Sequence, residues 1–142
     1  MKIYETLDRD PRTIPLANSG QARIDAEKDL RAELETFVCD GQYGEAVERI
    51  LASYLRCFDR GRQDSAWVSG FFGSGKSHLL KMLCHLWANT GFKDGASARS
   101  LVTGLPADAA AHLKEIDGLA SRGRVRPFAA AGTLPAGHAD FV

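Results

Sequence analysis

Apolar residues recur at spacings of three and four along four stretches of the chain. These stretches run from about Asp25 to Val38, Tyr43 to Phe58, Lys76 to Asn89 and Ala107 to Ala120. Such spacing places apolar side chains on one face of a helix, so the pattern predicts four helices. The third stretch is apolar on most sides, and we expect that helix to be largely buried.

Two short apolar runs have the length of strands. Ser65 to Ser69 is bounded by a polar loop on one side and by glycines on the other, which is typical of a buried parallel strand. Arg124 to Ala131 is a candidate second strand. Residues 1–22 carry two prolines and are predicted to form an extended arm. Residues 92–105 are predicted to be a loop, and residues 132–137 a turn.

The composition is that of a chain with a packed core. Of its 142 residues, 44% are apolar and 25% are charged, and the net charge of zero gives no electrostatic argument for a nucleic-acid or membrane partner. No run approaches the roughly 20 apolar residues that span a bilayer, and the charged residues 1–10 lack the apolar run expected of a signal peptide. The odd, scattered cysteines Cys39, Cys57 and Cys84 favour a cytoplasmic location and a role as small core residues.

The glycines that follow the first predicted strand belong to a complete phosphate-binding motif. Residues 70–77 read Gly-Phe-Phe-Gly-Ser-Gly-Lys-Ser, which matches the P-loop (Walker A) pattern G-x-x-x-x-G-K-[ST]. With this composition roughly 0.006 accidental matches are expected, so chance is a weak explanation. A strand before the motif and a helix after it are the context that a P-loop requires.

The backbone of this loop is expected to bind the phosphates of ATP. Gly70, Gly73 and Gly75 let the chain approach the phosphate oxygens closely, and Ser74 lies between the last two glycines. The helix that begins near Lys76 adds unpaired N–H groups and the positive end of its dipole.

Three side chains after the glycines are candidates for direct roles. Lys76 is expected to place its ammonium on the β- and γ-phosphates and is the candidate catalytic residue. Ser77 is expected to ligate Mg²⁺ through its hydroxyl. His78 has two interpretations, a phosphate contact or packing near the start of the helix.

Hydrolysis also needs an acidic residue at the end of a second buried strand. No such element follows Ser77, since Asp117 lies on a predicted helix face and Asp140 does not follow a strand. Asp40 comes after an apolar run, and we interpret it as a helix end, with a metal role as the alternative. Arginines occupy every second position from 122 to 126, which would place them on one face of the predicted strand: Arg122, Arg124 and Arg126. They have two interpretations, a solvated strand edge or a row of side chains that reaches phosphate or nucleic acid.

Together these features predict an α/β fold class. An N-terminal arm with two amphipathic helices, residues 1–60, would be followed by an incomplete P-loop NTPase (AAA+-like) parallel-sheet core, residues 61–142. Because such a core has about five strands, we expect this chain to be the N-terminal part of a longer ATPase.

Three segments also resemble a known family. Residues 30–43 read Leu-Arg-Ala-Glu-Leu-Glu-Thr-Phe-Val-Cys-Asp-Gly-Gln-Tyr, residues 47–51 read Val-Glu-Arg-Ile-Leu, and residues 67–79 contain the P-loop with its two phenylalanines and following histidine. These three segments are similar in sequence to the start of the large P-loop ATPase of BREX phage-defence systems, the BrxC/PglY family. The resemblance implies a bacterial cytoplasmic ATPase that acts on DNA with a methyltransferase and a phosphatase-like protein. An oligomeric assembly is compatible with this expectation.

Two other functions stay open from the residues alone. A P-loop kinase of a small molecule or nucleotide would need an arginine-rich lid, for which the arginines at 122–126 are few. A non-hydrolysing protein could bind nucleotide only to organise an assembly.

Overall fold

The computed structural model describes residues 27–58 and 60–130 and consists of helices joined by loops. The helices are α1 (Glu27–Glu35), α2 (Gly41–Phe58), α3 (Lys76–Ala88), α4 (Ala98–Leu101) and α5 (Ala107–Ser121). The four predicted helices are confirmed as α1, α2, α3 and α5, and α4 is a short addition inside the predicted loop. The arm at 1–22 and the turn at 132–137 lie outside the described residues.

Helices α1, α2, α3 and α5 each bury one apolar stripe in a common core. Helix α2 packs along α5, while α1 and α3 both contact α4. The largest completely buried side chains come from α1, α2, α3 and α5 and are Leu34, Val47, Leu51, Met82, Leu86, Leu113 and Ile116, joined by Cys39 and Cys57. Each such aliphatic side chain contributes about 1.5–3 kcal/mol through its removal from water, so these helices hold one another in place.

The predicted parallel-sheet core is wrong for the part of the chain that the structure describes. Within 27–58 and 60–130 there is no strand, and the only β-type pairing is an isolated bridge between Gly91 and Ser97. A run is a strand only when a neighbouring segment supplies ladder hydrogen bonds. Residues 65–69 and 124–130 have no such neighbour here, and Trp67 is 91% exposed instead of buried.

The run at 65–69 borders an open groove instead of a sheet. The groove has a volume of about 990 Å³ and lies between α2, α3 and residues 128–130. On its wall the ring of Tyr54 meets the ring of Trp87 edge-on, with centroids 4.5 Å apart. Residues 65–69 therefore line one side of a groove and do not form a buried strand.

Arg99 of α4 connects the end of α3 with α5. Its guanidinium donates to the carbonyl oxygens of Leu86 at 2.7 Å and Trp87 at 3.1 Å, and it also pairs with the carboxylate of Asp117. The last carbonyls of a helix have no partner within the helix, so a cation at this end satisfies them. Four residues of helix are thus enough to fix the C-terminus of α3. None of the described helices is long and apolar enough to cross a membrane.

A close approach of α2 to the start of α5 requires a glycine at position 44. A Cβ atom there would lie 2.9 Å from Cγ of Pro106 and 3.0 Å from the carbonyl oxygen of Cys39. We expect Gly44→Ala to lower the free energy of unfolding by roughly 1–3 kcal/mol, because the two helices must move apart.

The matched control is Gly118→Ala in α5. A Cβ atom at Gly118 meets nothing nearer than the Arg122 guanidinium at 3.6 Å. This substitution should stabilise the protein by up to about 1 kcal/mol, through the better helix propensity of alanine. Chemical denaturation of both variants checks the pair, and equal effects would contradict the packing described for Gly44.

Candidate phosphate-binding site

The P-loop, residues 70–77, connects the extended run at 65–69 to α3. Gly73 and Gly75 have φ angles of 79° and 77°, in the left-handed region that favours glycine. Between them Ser74 donates its N–H to the carbonyl oxygen of Phe71 at 3.2 Å, which closes a tight turn. Gly73 and Gly75 therefore occupy positions where the backbone conformation favours glycine.

The ammonium of Lys76 lies over this turn. It donates to the carbonyl oxygens of Gly70 at 2.9 Å and Phe71 at 2.6 Å, with the Ser74 hydroxyl oxygen at 3.3 Å. No carboxylate of the described residues forms an ion pair with Lys76, unlike Arg31, Lys81 and Arg99 of the helices. The loop thus holds a cation whose charge is not neutralised by an acidic side chain.

The first amides of α3 are available for a ligand. The first helical backbone bond runs from Leu79 N–H to the Gly75 carbonyl oxygen at 2.8 Å. The N–H groups of residues 75–78 have no acceptor among the described residues, and the N-cap Gly75 has no side chain to supply one. Free amides at a helix start favour an anion. The side chain of Ser77 is exposed beside them.

A tyrosine from α2 contacts the loop from outside. The hydroxyl of Tyr43 donates to the carbonyl oxygen of Ser74, 31 residues further along the chain. The ring of Tyr43 is half-buried and packs against the common core. Tyr43 was not among the predicted site residues, and its only signal was an aromatic side chain in the first turn of an amphipathic helix.

His78 packs next to the loop, in agreement with the second interpretation of its side chain. Its ring meets Phe37 edge-on with centroids 5.6 Å apart, and Nδ1 lies 3.9 Å from Glu33 Oε2. Burial, with a smaller contribution from Lys81, holds the pKa of His78 below its ordinary value, although Glu33 acts in the opposite direction. Its imidazole is therefore neutral near pH 7.

Beneath the first turns of α3 lies a buried ion pair that the sequence analysis also missed. Lys81 Nζ is 2.7 Å from Glu33 Oε2, and the two side chains are only 9% and 6% exposed. The carboxylate oxygen is paired by charge and has no well-aligned hydrogen bond. The signal for Glu33 was its place between Leu30 and Leu34 on the buried face of α1, where a polar residue needs a partner.

The other candidate residues lie elsewhere. The carbonyl oxygen of Asp40 accepts from the first turn of α2, and Asp117 pairs with Arg99. The described residues contain no group of three or more His, Cys, Asp or Glu that could hold a metal. Arg122, Arg124 and Arg126 are exposed, with the Arg124 guanidinium 5.1 Å from the centre of the Phe58 ring.

The prediction that all three cysteines are core residues is confirmed for Cys39 and Cys57 and not for Cys84. Cys39 and Cys57 are buried and Cys84 is half-buried, and all three are free thiols. Burial raises the pKa of the Cys39 and Cys84 thiols. Both thiols are therefore protonated and unreactive at neutral pH.

Comparison with known proteins adds no identification. No protein-family model matches the chain, and a search of the solved structures gave no significant match. Membership of the BREX ATPase family thus stays a prediction from the sequence similarity of three segments.

The buried ion pair predicts a non-additive pair of substitutions. Lys81→Met should cost about 3–5 kcal/mol of stability, because it leaves the Glu33 carboxylate buried without a partner. Adding Glu33→Met should recover most of this loss, since an apolar pair of similar volume needs no compensation.

Denaturant unfolding of the two single variants and the double variant measures this coupling. Lys114→Met, at an exposed lysine of α5, is the matched control and should change stability by less than about 0.5 kcal/mol. Purely additive losses at positions 33 and 81 would contradict the ion pair.

The two histidines of α3 predict a fall in stability in mild acid. Burial lowers the pKa of His85, as it does that of His78, with Lys81 acting in the same direction. A pKa that is lower in the folded than in the unfolded state means that the unfolded chain takes up the proton first. The free energy of unfolding therefore keeps the full contribution of these histidines above about pH 6.5, the ordinary histidine pKa. It decreases as the pH falls from there towards the lower pKa values of the folded state.

Thermal melting between pH 7.5 and 5 checks this expectation. The carboxyls with lowered pKa, Asp64 and Asp94, titrate below this window and do not interfere. The double variant His78→Gln, His85→Gln should show a flatter pH profile than the wild type, while His112→Gln should not. Parallel profiles for all three proteins would refute the assignment.

Proposed function

We propose that the chain binds ATP with Mg²⁺ through the loop from Gly70 to Ser77. The observation that carries the proposal is the combination of the complete P-loop motif with an ammonium and a row of unpaired amides at one turn. A triphosphate carries several negative charges on oxygen, and both kinds of donor suit such a group. Gly70, Gly73, Ser74 and Gly75 would supply the backbone around it.

Lys76 would be the charged ligand of the phosphates. Its three present acceptors are neutral oxygens. A hydrogen bond from an ammonium to an anionic oxygen is roughly twice as strong as a neutral one. Transfer of the ammonium from loop carbonyls to phosphate is therefore favourable, and it would stabilise charge that develops on the phosphates.

Ser77 would supply one oxygen ligand for Mg²⁺. The exposed hydroxyl at the start of α3 is a hard donor of the kind that Mg²⁺ prefers. Mg²⁺ commonly takes one or two protein ligands and completes its shell with phosphate oxygens and water. A single serine is thus compatible with a nucleotide-bound ion. For His78 a contribution through the backbone N–H is favoured, since its ring is packed against Phe37.

We further propose that the chain acts as part of a BREX-type phage-defence ATPase. The support is the resemblance at residues 30–43, 47–51 and 67–79. Through such an ATPase it would cooperate with a methyltransferase and a phosphatase-like subunit on DNA. Deleting the gene in its host should abolish phage restriction, and Lys76→Ala should fail to restore it. Restored restriction by the variant would count against an ATP-dependent defence role.

Calorimetric titration with ATP and Mg²⁺ tests the phosphate-binding site. Lys76→Ala should weaken binding by roughly 10- to 100-fold, which corresponds to the loss of one or two charge-assisted hydrogen bonds. Lys114→Ala removes the same charge from an exposed position of α5 and should bind like the wild type. Equal affinities of wild type and Lys76→Ala would refute the site.

Titrations with GTP and with inorganic tripolyphosphate extend the same experiment. If tripolyphosphate binds and this binding depends on Lys76, the phosphate groups supply the affinity. A higher affinity for ATP than for GTP would show a preference for adenine. The chain by itself is expected to bind without turnover, because an acidic residue suited to orient water was not found after Ser77. Steady hydrolysis abolished by Lys76→Ala would contradict that expectation.

A further inference from the structure

The P-loop is connected to the helical core by one side chain. Among the described residues, the bond from Tyr43 to the Ser74 carbonyl oxygen is the only hydrogen bond that joins residues 70–77 to a segment other than the loop and α3. Tyr43 lies in the first turn of α2, and its ring is packed against the core. The position of the hydroxyl is therefore set by the packing of the ring.

This bond determines the orientation of one peptide unit. In a trans peptide the C=O and N–H groups point in opposite directions, and no peptide bond of the described residues is cis. When Tyr43 holds the Ser74 carbonyl oxygen towards α2, the Gly75 N–H has to point away from α2. That N–H is the first of the four successive amides at 75–78 that have no acceptor among the described residues.

Without the tyrosine this peptide unit would be easy to rotate. Rotation of this unit changes φ of Gly75 and ψ of Ser74; φ of Gly75 is 77°, and glycine tolerates either sign of φ at little cost. Rotation of the Ser74–Gly75 peptide would replace the N–H with a carbonyl oxygen. A carbonyl oxygen repels a phosphate oxygen, so the loop would lose a donor and gain a repulsion.

The ring of Tyr43 also lies against the loop. A Cβ atom on Gly75 would overlap the tyrosine hydroxyl and lie 3.3 Å from Cζ. Tyr43 therefore fills the space beside Gly75 and limits movement of the loop towards α2. The close contact also gives a second reason, besides the positive φ, for glycine at position 75.

We propose that Tyr43 is a positioning residue of the phosphate-binding site, which holds the Ser74–Gly75 peptide so that the Gly75 N–H faces the phosphates. The inference rests on the proposed binding of a triphosphate by this loop. It adds a residue from α2, outside the motif, to the residues that determine affinity. It also makes the packing of α2 in the core a condition for an ordered loop.

The test is Tyr43→Phe, which removes the hydroxyl and keeps the ring. Its affinity for ATP with Mg²⁺, and for inorganic tripolyphosphate, should fall about three- to tenfold, the range expected for loss of one hydrogen bond. Tyr54→Phe is the control on the same helix, because the hydroxyl of Tyr54 has no hydrogen-bond partner among the described residues. It should bind like the wild type. The melting temperatures of both variants should stay close to that of the wild type.

A second measurement needs no ligand. In ¹⁵N relaxation-dispersion spectra of the free protein, recorded well below the melting temperature of each variant, the Gly75 amide should show exchange broadening in Tyr43→Phe. It should be sharp in the wild type and in Tyr54→Phe. This readout reports on rotation of the peptide and does not depend on nucleotide.

The outcomes separate this inference from the proposed function. If wild type binds and Lys76→Ala does not, but Tyr43→Phe binds like wild type with a sharp Gly75 signal, the positioning role is wrong and the binding site stands. If wild type binds neither ATP nor tripolyphosphate, the proposed function fails, and the positioning role fails with it. Reduced affinity of Tyr43→Phe together with Gly75 broadening, at unchanged melting temperature, supports the proposal.

Discussion

The burial of one apolar cluster by α1, α2, α3 and α5 is the interaction on which the rest of the described structure depends. Met82 and Leu86 place α3 in that cluster, and the start of α3 is the end of the P-loop. Leu51 places α2 there, and α2 carries Tyr43 to the loop. The loop forms few hydrogen bonds of its own, so its position follows from helices that are held together by removal of their apolar faces from water.

Helical periodicity was sufficient to predict the four main helices. The stripe containing Leu113 and Ile116 located α5, and the stripe containing Val47 and Leu51 located α2. These predictions succeeded because the information for a helix is local, within three and four residues. The motif at 70–77 was equally local, and its glycines Gly73 and Gly75 have the left-handed conformation that favours glycine.

The predictions that failed, and the contacts that were missed, depend on distant segments. Ser65 to Ser69 has the composition of a strand, but a strand exists only when another segment pairs with it. The contacts of Glu33 with Lys81 and of Tyr43 with Ser74 join residues 48 and 31 positions apart. Spacing along one helix shows that Glu33 lies on a buried face, yet it does not show which cation meets it.

The bonds of Lys76 to its own loop have a consequence for how affinity is read. Under the proposed function, an anion that enters the loop would compete with the carbonyl oxygens of Gly70 and Phe71 for the same ammonium. The measured affinity would therefore be the difference between the bonds of the ammonium to the anion and its bonds to the loop, with the two carbonyl oxygens as internal competitors. Removing the lysine would also remove two hydrogen bonds from the empty loop. The side chain that stabilises the empty loop would thus be the same one that contacts the proposed ligand.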